Sequence, residues 1–119
     1  MVGRLVRLGG AGALLASASC GTTEIYRWGG YEDSIAAMYA TSSGYDPAKE
    51  IARLAEHIEV TQHQGKLVPP GMRAHVGYLL IEAGNAERGV SLLEAEKVAF
   101  PESAAFIDGM LARLRKAQS

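Results

Sequence analysis

Apolar positions recur at three- and four-residue intervals in five runs of this chain, which predicts five short helices and no strand. The first run covers about residues 32–41, with Ile35, Met38 and Tyr39 on one face beside Tyr31. The second opens at Asp46-Pro47, a capping residue followed by one suited to the first helical position. It continues to about residue 64, with Ala48, Ile51, Leu54, Ala55 and Ile58 as its core stripe. Glu50, Arg53, Glu56 and Glu59 form its solvated face, and Gly65-Lys66 ends it. Pro69-Pro70 forces an extended entry into the third helix, whose stripe is Met72, Val76, Leu79, Leu80 and Ala83. Gly77 permits close approach of a neighbour there, and Gly84 is the expected C-cap. The fourth sets Ala86, Val90, Leu93 and the stem of Lys97 on one side, with Gly89 as a second close-contact position. Phe100-Pro101 stops it. The fifth covers about residues 102–116 on Phe106, Ile107, Met110, Leu111 and Leu114, and Arg113, Arg115 and Lys116 suit its C-terminal dipole. Such short loops favour antiparallel neighbours. The expected fold is all-α, made of short antiparallel hairpins organised around residues 68–103.

The third and fourth helices also carry a repeat pattern. Val76, Gly77 and Leu80, then Gly89, Leu93 and Pro101, resemble a tetratricopeptide (TPR) unit, a helix pair packed closely through small residues. Glu96 departs from it, standing where alanine is usual. A poorer copy lies upstream in Ile35, Ala36, Tyr39 and Ala48. Ala48 and Gly89 are 41 positions apart, against roughly 34 in a regular repeat. The expectation is two degenerate TPR-like repeats and a capping helix.

The first nineteen residues read as a targeting segment. Arg4 and Arg7 supply a positive start, residues 8–16 a short apolar run, and Ser17, Ala18 and Ser19 precede Cys20. The run is shorter than the roughly 20 residues a membrane-spanning helix needs. The arrangement resembles a bacterial lipoprotein signal, with Ser17 where leucine is usual. It implies cleavage before Cys20 and covalent lipid on that residue, the alternative being a plain secretory signal. The organisation expected is a signal peptide over 1–19, a lipid-anchored tether and aromatic segment over 20–30, and a helical domain over 31–119. By the same resemblance Gly21, which is not aspartate, points to the periplasmic face of the outer membrane.

Charge and chemistry change this picture little. The whole chain carries a formal charge of -1, and without Arg4 and Arg7 it holds 10 basic and 13 acidic residues, so nothing points to nucleic acid. A single cysteine excludes an internal disulfide and a cysteine-based zinc site. His57 and His63 lie about 240° apart around one helix and share no ligand face. No nucleophile elbow, P-loop or dinucleotide motif is present, so no catalytic residue, metal site or cofactor beyond the lipid on Cys20 is expected. Glu96 is expected to be half-buried and therefore to need a partner, with Lys97, His75, Arg73 and a tyrosine hydroxyl as candidates. His75, Glu96 and Lys97 form the expected structural polar tie, His75 meeting a carboxylate across the helix pair. Tyr26, Trp28 and Tyr31 flank Gly29-Gly30 and suit either a cap over the helices or a half-wet contact with a partner or membrane interface.

Tyr26-x-Trp28-Gly29-x-Tyr31-Glu32, Val68-Pro69-Pro70-Gly71, Ala74-His75-x-Gly77-Tyr78 and Glu96-Lys97-x-x-Phe100-Pro101-Glu102-Ser103 resemble the DUF4810 family of small bacterial lipoproteins. That resemblance implies an envelope lipoprotein without enzymatic activity. It also implies neighbours of two kinds, a curli-secretion-channel-like lipoprotein and another small lipoprotein. The function expected is a lipid-anchored, periplasm-facing interaction module within an envelope assembly. In a TPR-like fold its partner would meet Tyr78, Ile81 and Glu82, with Trp28 and Tyr31 nearby. The alternatives are a regulator of an envelope or cell-wall enzyme and, least supported, a ligand-binding or hydrolytic enzyme.

Overall fold

The computed structural model describes Gly3 and residues 24–40 and 44–119. Apart from Gly3, the predicted signal lies outside the described residues, as do Cys20 and the predicted end of the first helix at Thr41. Among the described residues five α-helices follow one another: α1 Tyr31–Tyr39, α2 Pro47–His63, α3 Met72–Glu82, α4 Ala86–Ala99 and α5 Ala104–Ala117. A 3-10 turn, Pro101–Ser103, carries the chain into α5. The fold is all-α, and among the described residues the only β feature is an isolated parallel bridge between Tyr26 and Leu67.

The boundaries follow from local chemistry. The Asp46 carboxylate accepts the backbone N–H groups of Ala48 (3.0 Å) and Lys49 (3.4 Å), and Pro47 occupies the first turn of α2. Between α3 and α4 the Asn85 N–H returns to the Leu80 carbonyl (2.8 Å) and the Gly84 N–H to that of Ile81 (3.0 Å). This is a Schellman turn, and Gly84 takes the left-handed conformation it requires, at φ 90°. The Asn85 side chain then caps α4 through the Arg88 N–H.

Helix α3 is the shared wall of two cores. On one side Met72, Val76 and Leu80 pack with Leu54, Ile58 and Val68. On the other, Ala74 joins Leu93, Ile107 and Leu111. A helix wetted on so little of its surface is apolar nearly all round, as α3 is. It meets α4 at a glycine crossing. A Cβ on Gly77 would stand 2.7 Å from the Gly89 carbonyl oxygen, and one on Gly89 would stand 2.5 Å from that of Gly77. No larger residue allows the two backbones this approach.

Several expected faces are corrected. Tyr39 is 78% exposed, and α1 turns Ser34 inward instead. Ala48 and Ala83 are exposed, while Thr61 is buried. In α4 the buried line is Gly89, Leu93 and Glu96, with Val90 outside it. Phe106 is 62% exposed, so only Ile107 and Leu111 of α5 are fully buried. The α2 face expected to be solvated holds the N-terminal segment: Arg53 donates to the carbonyls of Gly29 (2.7 Å) and Gly30 (3.3 Å), and its neighbour Glu50 is half-buried. One turn on, His57 Nε2 donates to the Arg27 carbonyl at 2.8 Å.

Candidate functional site

The three odd-numbered helices line one open groove of about 490 Å³. Helix α3 forms its floor through Ala74, His75 and Tyr78; α1 contributes Tyr31, Ile35, Met38 and Tyr39, and α5 contributes Phe106 and Met110. Tyr39, Phe106 and Tyr78, at 36% exposure, are large ring surfaces left facing water. A smaller recess of about 330 Å³ shares Met38 and Tyr78 and extends to Tyr45 and Glu82.

Polar ties lie under and beside the groove. The buried Ser34 hydroxyl meets His75 Nε2 at 3.2 Å, and the Tyr31 ring stands edge-on to the imidazole with centroids 5.7 Å apart. Burial holds the His75 imidazole below its ordinary range, with the Glu50 carboxylate opposing. Glu50 is itself kept in its charged form, chiefly by its bond from Arg53 at 2.7 Å. Glu50 thus acts on both members of the Ser34–His75 pair while it is bonded to Arg53. The pair fastens α1 to α3. Burial also raises the Tyr45 phenol, with a hydrogen bond to Ser34 opposing.

Glu96 is 1% exposed, more deeply buried than its sequence context led one to expect, and its partner is a backbone group. Its Oε1 accepts the Gly71 N–H. Gly71 is the N-cap of α3 and has no side chain with which to cap. The carboxylate of α4 therefore supplies from outside what the N-terminus of α3 lacks, and the positive end of that helix dipole favours it. The Tyr31 hydroxyl lies beside the same glycine, 2.7 Å from where a Gly71 Cβ would stand. Burial, and then the Glu96 carboxylate, raise the Tyr31 phenol.

The expected tie of His75, Glu96 and Lys97 is thus three separate contacts. His75 meets Ser34, a hydroxyl in place of the expected carboxylate. Lys97 leaves Glu96 alone and joins α4 to α5 through Asp108 (2.6 Å), with Glu94 at 3.3 Å. Both carboxylates raise the Lys97 ammonium. Of the expected partner-binding residues, Tyr31 and Tyr78 line the groove and Glu82 the adjoining recess. Trp28 stacks on Tyr31 at 6.3 Å, outside the groove lining. Ile81 belongs to packing, because its Cγ1 fills the space beside Gly89. Ile35, Met38 and Tyr39 share one face, and Phe106 and Met110 recur at helical spacing, without their sequence marking them as groove residues. Apolar periodicity marks a groove wall and a core in the same way, so only the presence of two flanking stripes around one central helix could have separated them.

Among the described residues no helix is long and apolar enough to cross a membrane, and no group of three or more His, Cys, Asp or Glu side chains could hold a metal ion. The family model described as "Domain of unknown function (DUF4810)" matches residues 25–110, and the chain belongs to that family. No curated protein and no solved structure matches it.

Proposed function

We propose that this DUF4810 chain is a lipid-anchored, periplasm-facing interaction module whose groove receives a segment of an envelope partner. What carries the reading is the division of labour among the helices: α1, α3 and α5 face the groove, while the even-numbered α2 and α4 pack behind α3. That alternation fits the degenerate TPR-like arrangement, in which the first helix of each pair lines the binding face. Rings at the rim supply what interface hot spots use, a large apolar area with a polar tip. The anchor is the lipid expected on Cys20, the assembly an outer-membrane one that includes other small lipoproteins.

The test is reconstitution with a partner identified after mild crosslinking in the native envelope, together with intact mass of the isolated chain. A mature mass beginning at Cys20 plus acyl chains supports the anchor. Direct titration of the purified partner should then weaken about 30-fold on Phe106→Ala or Tyr39→Ala, with helicity and melting temperature unchanged. Unchanged binding in both variants removes the groove from the function.

A further inference from the structure

Away from the groove, the N-terminal segment and the end of α4 enclose a second recess of about 380 Å³. Tyr26 and Phe100 wall it, their ring centroids 6.3 Å apart, and Lys66 and Arg73 both line it. No carboxylate is among its lining residues. Neither cation enters an ion pair among the described residues, in contrast to Arg53 and Lys97. Leu67, at its edge, is 54% exposed, and Ile25, next to Tyr26 in the chain, is 66% exposed. A third cation, Arg27, is held at the same end by its bonds to Gln64 Oε1 (3.0 Å) and, through its backbone, to the Leu67 carbonyl (3.1 Å).

We infer that this recess is a membrane-facing surface that binds the headgroups of an anionic lipid bilayer. Aromatic walls, an exposed leucine at the edge and two cations outside the ion pairs of the described residues are the combination an interface of headgroups and upper acyl chain accommodates. The charge is complementary on a chain that is otherwise net acidic: 13 acidic against 10 basic residues follow the first nineteen. Position adds a second argument. Cys20 stands six positions before Tyr26, and the four steps from Cys20 to Glu24 span at most about 14 Å. Resting on the anchored reading proposed above, a lipid on Cys20 would hold this recess within about one to two Debye lengths of the bilayer surface. The groove of α1, α3 and α5 has a different lining and stays free for its own partner.

The experiment uses the mature chain from residue 20 with Cys20→Ser, so that neither the signal nor an acyl chain drives binding. It is added to phosphatidylcholine vesicles, with and without one part in three of phosphatidylglycerol, their acyl chains brominated. Trp28 is the chain's only tryptophan and lies 6.2 Å from Tyr26, so its quenching reports this face approaching the bilayer. Quenching should require phosphatidylglycerol and fall with added salt. The double variant Lys66→Gln with Arg73→Gln should weaken it about 25-fold, about five-fold for each cation. Lys66→Gln alone, an exposed turn position that cannot cost the fold, should give the five-fold step. Equal quenching without the anionic lipid, or in the Lys66→Gln chain, overturns the inference. Phe106→Ala should leave quenching unchanged, so loss of the groove's partner and loss of this surface are read separately. The mass of the acylated chain likewise reports on the anchor alone.

Discussion

The α3–α4 hairpin and the α1 attachment hold the molecule together by opposite means. The hairpin is sealed backbone against backbone at Gly77 and Gly89, closed by a Schellman turn, and buried on both flanks. Helix α1 is fastened by side chains: the Ser34 hydroxyl on His75, the Tyr31 ring, and the Arg53 guanidinium on the carbonyls just before it. The hairpin leaves no apolar surface to spare at its crossing. The α1 attachment leaves Ile35, Met38 and Tyr39 on an open wall. Close packing by small residues makes the scaffold, and the looser polar fastening leaves an apolar face for something else.

Substitutions can break that contrast in order of size. Glu96→Ala should cost the most, about 3 kcal/mol, because it strands the N-terminus of a buried helix and opens a cavity. Glu96→Gln keeps an acceptor for Gly71 and should cost about 1 kcal/mol, so chemical denaturation of the pair separates capping from charge. Gly89→Ala comes next. Helix propensity alone would favour alanine by about 1 kcal/mol, but the atoms it meets include backbone, and a net loss of about 2 kcal/mol is expected. A stabilised Gly89→Ala protein would show that the crossing is not close. Ser34→Ala should cost about 1 kcal/mol, on the scale of one hydrogen bond, with the hairpin intact.

Acidification sharpens the same point. The His75 imidazole is held below its ordinary value of 6.5 in the folded chain, so the unfolded chain binds more protons there. Its contribution is complete above 6.5 and is lost as pH falls through that value toward the folded one. Glu50, held below 4.5, contributes above that value and loses its part only at still lower pH. Melting temperature should therefore decline first below about pH 6.5, and His75→Gln should flatten that first decline while leaving the acid-side one. The smallest expected effect is that of Phe106→Ala, within about 0.5 kcal/mol, as befits an exposed ring.

Helix starts and stops were legible wherever the signal is local: Asp46-Pro47, Gly84 and Phe100-Pro101 act through neighbours a few positions away. The glycine crossing was legible too, since Gly77 and Gly89 have no other use inside helices. Three things were not. Helix faces on α1 and α5 were misread because a stripe that borders a groove has the same period as one that enters a core. The Arg53 and His57 contacts depend on carbonyls more than twenty positions earlier, which no helical wheel contains. The role of Glu96 depends on Gly71, 25 positions away. One clue was available, for α3 begins at a glycine with no acid in its first turn, a helix start that must find its capping acceptor elsewhere.

The double-sided burial of α3 also governs how the chain comes apart. A helix that walls two cores ties their opening into one event, because neither can separate without exposing a surface the other uses. The contacts of α3 with α4 are close in sequence, closed by a turn only a few residues long, and so cost little loop entropy to form. This hairpin is the natural nucleus, onto which α2 and α5 add their apolar faces and α1 its polar clasp. Amide hydrogens in α3 should exchange only through whole-molecule opening, while those of α1 exchange through a smaller local release. The wall of the groove that α1 provides is then the part of the molecule freest to adjust to an occupant.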